Sequence, residues 1–320
     1  MRHGYLPALL AAILCLCGAG VRPAMAEAGL VCVLVPHFKD EYWLSVAYGL
    51  EQEAARRGLS LRFFEAGGYT ALQNQIAQLD SCQRLQPEAI LIGAVSSDDP
   101  ALLAAVARAA EAQPVIGLVN ALQSPALAAH VGVDWRDMGL DLGRHLALFY
   151  PVGGPDSTAI LLTGPAESGW VAPLERGLRD GLAGSALRIT AVYGCDTGTA
   201  AQLQMLEQAL TQVPDPDVII GAAPAIEAAM AMQSAQPGGP VLAATYVTHS
   251  VARGLVGGQI AAAPFDDPIA QGVMAIDAVL AALAGVPQPG MVGPPIRVLT
   301  AGVDPADITL SPADYFPTLR

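Results

Sequence analysis

The chain lacks the short signatures by which many catalytic and nucleotide-handling proteins announce themselves. Its 320 residues contain no GxGxxG, no phosphate-binding GxxxxGKS/T and no HExxH. The motifs therefore carry no dinucleotide, nucleoside triphosphate or zinc-hydrolase chemistry. Residues 164–170, GPAESGW, fail as a nucleophile elbow because Ala166 stands where that turn needs glycine. No CxxC pair is present, which removes support for a redox or zinc role. The histidines, at 3, 37, 130, 145 and 249, are scattered. Charged residues make up only 14% of the chain, aromatics 5%, and asparagine occurs only at 74 and 120. No catalytic residue, cofactor or metal is expected.

A long hydrophobic run is also missing beyond the first two dozen residues. Arg2 and His3 precede an apolar stretch from Leu6 to Leu16, and Ala24-Met25-Ala26 closes it with small residues. This is the pattern of a secretory signal peptide over residues 1–26, with cleavage after Ala26 and export of the mature chain. The stretch is short for a membrane span, so no membrane insertion is expected after cleavage. Losing Arg2 and Arg22 moves the formal net charge from −13 to −15. Phosphate repels such a chain, which argues against nucleic acid and anionic lipid as partners. Cys32, Cys82 and Cys195 remain in the mature chain. They allow at most one internal bridge, and either a Cys32–Cys82 disulfide or buried free thiols fits.

What is present is a regular alternation. Apolar runs at 30–36, 60–65, 89–95 and 114–120 read as parallel strands covered on both faces. Between them lie amphipathic segments with legible ends. Asp40 and Gly58 bracket the first helix, Thr70 with Gln73 forms a capping box for the second, and Asp98-Asp99-Pro100 opens the third. A second series begins after 131–135, with strands at 158–163, 187–193, 217–222, 240–245 and 259–264. A long helix over about 267–284 and a last apolar run at 296–300 follow. Such alternation predicts an α/β protein of two Rossmann-like lobes with parallel sheets joined by hinge crossovers. The expected division is 27–133 with about 266–292 in the N-terminal lobe, and 134–265 with about 293–320 in the C-terminal lobe and tail.

The scarce aromatics are placed unevenly. Tyr42 and Trp43 follow the first strand, Tyr69 the second, Trp135 sits at the inferred lobe junction, and Trp170 and Tyr246 follow later strands. The carboxyl ends of strands in open parallel sheets form the crevice where ligands bind. Any one ring could belong to the core; Trp43 also fits an apolar stripe with residues 46, 47, 50 and 54. Their convergence on one cleft favours a ligand held by ring faces. A sugar would need a dense set of Asn, Asp and Arg partners. A methylated ammonium needs rings, each good contact giving about 0.5–2 kcal/mol. Asp134, Asp266 and Asp267 beside the crossovers are expected to cap helices or bridge lobes.

Four segments, VPHFKDEYWLSVAYGLEQEA, VGVDWRDMGLDLG, GPAESGWVAPLERGL and IAAAPFDDPIAQGVMAIDAVLAAL, resemble those of the type I periplasmic binding proteins, in the ribose-binding-like group. Within it, PHFKDEYWLSV, EAGGY and GVDW are similar to the branch that serves a membrane sensor histidine kinase in trimethylamine N-oxide (TMAO) respiration. The resemblance implies a TMAO-binding aromatic cage between the lobes, built by Trp43, Tyr69, Trp135 and Tyr246. Tyr42 stands beside it, able to offer a hydroxyl. Trp170 stays outside, because no matched motif places it in the cage. The implied partner is the periplasmic sensor domain of the kinase. The alternative is a solute-binding protein that delivers a sugar or a quaternary amine to an ABC importer.

Overall fold

The computed structural model describes Met1 and residues 29–235, 238–286 and 288–319. The signal peptide expected over 1–26 lies, Met1 apart, outside the described residues. The chain runs through β1 (Gly29–Val35), α1 (Glu41–Arg57), β2 (Leu59–Glu65), α2 (Leu72–Gln83) and β3 (Ala89–Ile92). It continues through α3 (Pro100–Ala110), β4 (Val115–Leu118) and β5 (Ala129–Val131), then crosses into α4 (Trp135–Ala147) of a second lobe. There the alternation repeats through β6 (Ser157–Thr163), α5 (Val171–Gly181), β7 (Leu187–Gly194), α6 (Thr199–Gln212) and β8 (Val218–Gly221). It goes on through α7 (Ala223–Ala235), β9 (Val241–Ala244), α8 (His249–Val256) and β10 (Ala262–Phe265). Then α9 (Pro268–Leu283) and β11 (Met291–Val292) return to the first lobe, and β12 (Arg297–Thr300) closes the second.

The first sheet has the order β11-β5-β4-β3-β1-β2, the second β12-β10-β9-β8-β6-β7. Val31 to Val35 in β1, and all of β3 and β4, are buried. Helices on both faces of each sheet require this, and it explains the unbroken apolar runs. The sheets are parallel as expected except at one edge. β12 pairs antiparallel with β10, because a short return after a lobe crossing leaves no room for a right-handed helical crossover.

The helix ends follow the sequence with one exception. The Asp40 side chain accepts from Tyr42 N, and Gly58 takes a left-handed conformation at the far end of α1. Asp99 caps α3, with Pro100 in its first turn. Asp134 caps α4 and Asp267 caps α9. The Thr70–Gln73 capping box does not form: α2 starts after Ala71, with no side-chain cap bond. Gly67 and Gly68, both at positive φ, delay the turn, and the loop is held instead by Tyr69 N donating to Asp196 of the other lobe.

Cys32 and Cys82 form a disulfide between β1 and α2, settling the choice left open above. Closing a loop of 50 residues is worth about 4 kcal/mol on loop-entropy grounds. Helices α4 and α5 meet backbone to backbone. A Cβ on Gly177 would lie 1.9 Å from the Arg136 carbonyl oxygen, so only glycine permits the contact. Beyond β12 the tail returns to α1, where Tyr315 O–H donates to Glu51 at 2.8 Å and Ser311 N donates to Ser45 at 3.2 Å.

Candidate functional site

The carboxyl ends of the strands of both sheets face one another across the interlobe crevice. One cavity there is lined by Asp40, Tyr42 and Trp43 from the start of α1, Tyr69 after β2, and Val119 and Asn120 after β4. Trp135 at the crossover, Trp170 after β6, Thr197 after β7 and Tyr246 after β9 complete it. It offers the centre of a water-sized sphere only about 10 Å³, roughly one water's worth.

The rings form a continuous shell. Trp135 and Trp170 lie 5.4 Å apart at 44°. Tyr246 is edge-on to Tyr42 at 5.4 Å, to Trp170 at 6.2 Å and to Trp135 at 6.4 Å. Tyr69 meets Trp170 at 6.4 Å. Two rings rest on bare backbone: a Cβ on Gly93 would lie 2.3 Å from the Trp43 ring, and one on Gly164 would lie 2.4 Å from Trp170. Val119 is a β-branched residue at φ 62°, a costly conformation of the kind that clusters at ligand sites. Its carbonyl accepts the Trp135 N–H at 3.3 Å and fixes that ring.

Two phenol–carboxylate pairs brace the site: Tyr246–Asp40 joins the lobes, and Tyr42–Asp266 holds the start of α1 against the crossover after β10. Tyr42 O–H donates to Asp266 at 2.7 Å, and Gln271 donates to both partners. Tyr246 O–H donates to Asp40, whose other oxygen caps α1. Burial raises the Asp40 carboxyl to about 7, against the opposing hydrogen bond from Tyr246. Burial raises Asp266 to about 6. Around this core His37 Nε2 meets Thr197 Oγ1 at 2.9 Å, and Glu41 accepts from Ser250 N at 3.0 Å. Burial lowers His37 to about 4, so its ring is neutral at pH 7. The lobes are closed on each other. Among the described residues, no group of three or more His, Cys, Asp or Glu side chains could hold a metal ion, and no helix is long and apolar enough to cross a membrane.

This two-lobed arrangement, with an interlobe cavity at the strand ends, has a family. Residues 31–287 match the family described as periplasmic binding protein domain. The chain belongs to the periplasmic binding proteins. Periplasmic protein TorT of Escherichia coli K12 is 37% identical over 270 residues, which are 84% of this chain and 77% of TorT. The structure of a TorS sensor domain–TorT complex in the presence of TMAO is similar with a TM-score of 0.78 at 32% identity, covering 91% of this chain and 99% of that one. An ABC transporter solute binding protein from Bradyrhizobium sp. BTAi1, with bound bis-tris, gives a TM-score of 0.75 at 35% identity, covering 92% and 91%.

In this periplasmic binding protein, all five rings named from the sequence (Trp43, Tyr69, Trp135, Tyr246 and Tyr42) line the one cavity. Three expectations change. Trp170, placed outside, is a full wall of the cavity and is 2% exposed. Gly164, just past the end of β6, was the available signal, since a Cβ there would collide with the Trp170 ring. Tyr42 has no hydroxyl hydrogen to spare, because Asp266 takes it. The lining also includes a carboxyl group: Asp40, assigned from sequence to capping alone, caps and faces the cavity at once. Asn120 and Thr197 were missed because nothing in their flanks sets them apart.

Proposed function

We propose that this protein is an exported, non-catalytic sensor that binds TMAO between its lobes and reports its state to the periplasmic sensor domain of a TorS-like histidine kinase. The observation that carries the reading is an interlobe cavity walled by six aromatic rings. A pentose or hexose demands many hydrogen-bonding partners, which a wall of rings does not supply. TMAO is compact and net neutral, and its methylated positive nitrogen is attracted to ring faces. Trp43, Tyr69, Trp135, Tyr246 and Trp170 serve as walls, and Tyr42 braces them through Asp266. The Asp40 carboxyl is held by Tyr246 and the α1 N-terminus, so it fixes the Tyr246 ring as a wall. Ligand in the cleft stabilises the closed state, which the kinase reads. The relative that TorS accompanies, TorT, supports the partner assignment. In this reading the bodies that move are 27–133 with 266–292 and 134–265 with 293–320. The mature protein begins at Glu27, which N-terminal sequencing of exported protein checks.

Calorimetry of the mature protein against TMAO, glycine betaine and ribose tests the ligand. Binding of TMAO and none of ribose is expected; tight ribose binding with no TMAO response refutes the proposal. The Bradyrhizobium relative favours a second reading, delivery of a small amine to an ABC importer. Capture of this protein by a purified TorS periplasmic domain, with none by the importer permease, separates the two.

A further inference from the structure

The ligand proposed above has two ends, and ring faces satisfy only one. Its oxide accepts hydrogen bonds and cannot donate them, so within this cavity some side chain must present a free hydrogen. Most polar hydrogens around the cavity are already committed. Tyr42 O–H goes to Asp266 and Tyr246 O–H to Asp40. Trp135 N–H goes to the Val119 carbonyl.

Tyr69 and Trp170 differ. The Asn120 amide nitrogen lies 2.9 Å from the Ala94 carbonyl oxygen and 3.2 Å from the Tyr69 hydroxyl oxygen. A carbonyl can only accept, so the atom facing it must be the amide nitrogen, and both of its hydrogens are then spent. One of them points at Tyr69, which makes the phenol oxygen an acceptor and turns its own hydrogen elsewhere. The Trp170 N–H is buried and without a partner. An orphaned buried N–H is disfavoured and rare in a folded protein. Both groups line the cavity.

We propose that the Tyr69 O–H and the Trp170 N–H form a donor pair that receives the ligand's acceptor oxygen. The pair makes the site selective for an N-oxide over a methylated ammonium of the same shape with no acceptor. Asn120 orients it by occupying the Tyr69 oxygen from behind. The inference rests on the TMAO reading and adds to it the groups that distinguish the ligand's polar end.

Two variants and two probes test it. Trp170→Phe and Tyr69→Phe keep a ring in place and remove the donor, and a thermal unfolding scan establishes that each is folded. Each variant and the unaltered protein are titrated calorimetrically with TMAO and with tetramethylammonium, which matches its shape but has no oxygen. The expected result is a loss of TMAO affinity of roughly 10- to 100-fold in each variant, with tetramethylammonium affinity unchanged. Equal losses for both probes would make these residues walls only and overturn the proposal. Unchanged TMAO affinity in both variants would overturn it as well. If the unaltered protein binds no TMAO, the reading beneath falls and takes this inference with it, an outcome distinct from the other two.

Discussion

Replacing Asp40 with asparagine should stabilise the unliganded protein, by an amount that depends on pH in a defined way. The side chain is 4% exposed, and burial raises its carboxyl from the ordinary 3.8 to about 7. Between those values the folded protein holds a proton that the unfolded chain has released. Stability therefore falls as pH rises through that window, and the full cost stands above about 7. The interval corresponds to about 4 kcal/mol. Below the ordinary value both states are protonated and the cost vanishes. Asparagine resembles the protonated acid: its carbonyl can accept from Tyr42 N, its amide can donate to the Tyr246 oxygen, and it caps helices well. Asp40→Asn is expected to exceed the unaltered protein by about 4 kcal/mol near pH 8 and to match it near pH 4. Urea denaturation of both proteins across this range measures the difference. Asp266 and His37 titrate in the same region but are common to both proteins and cancel. An equal difference at both ends of the range, or a variant less stable at the alkaline end, would refute the argument.

Trp43→Ala and Trp135→Ala should each weaken TMAO binding by about 1–3 kcal/mol, from lost ring contact and burial; unchanged affinity in both would remove the cage. Trp170→Ala should cost as much, since the structure makes it a full wall, and an affinity equal to the unaltered protein's would return it to a supporting part. Gly93→Ala should displace the Trp43 ring, because the added Cβ would sit 2.3 Å from it; weaker TMAO binding by calorimetry is expected, while undiminished binding would show that the ring can shift freely. Replacing Cys32 and Cys82 together with serine should lower stability by about 4 kcal/mol, read from urea midpoints that reductant no longer changes; a midpoint equal to that of the oxidised protein would argue against the bridge.

The fold was legible because it rests on repeated local signals. The strand at 29–35 needed only an apolar run, and α1 needed Asp40 before it and Gly58 after it. These features act within a few residues and survive without knowledge of the rest of the chain. The failed capping box at Thr70 shows the limit. Its local pattern was sound, but two glycines and a hydrogen bond from Tyr69 to Asp196, 127 residues away, set where α2 begins. The antiparallel β12 is a similar case, since an apolar run carries no direction.

At the site, sequence alone determined which rings stand after strand ends, because a parallel sheet sends every strand end to one crevice. It could not determine what each polar group does there, which depends on partners brought from far along the chain. Tyr42 and Asp266 are 224 residues apart, Asp40 and Tyr246 206. These pairs decide that Tyr42 braces rather than donates and that Asp40 faces the cavity as well as capping a helix. They also leave Tyr69 and Trp170 with hydrogens to give. Hydrophobic periodicity is a property of neighbours along the chain; hydrogen-bond satisfaction belongs to neighbours in space, and only the folded molecule brings those together.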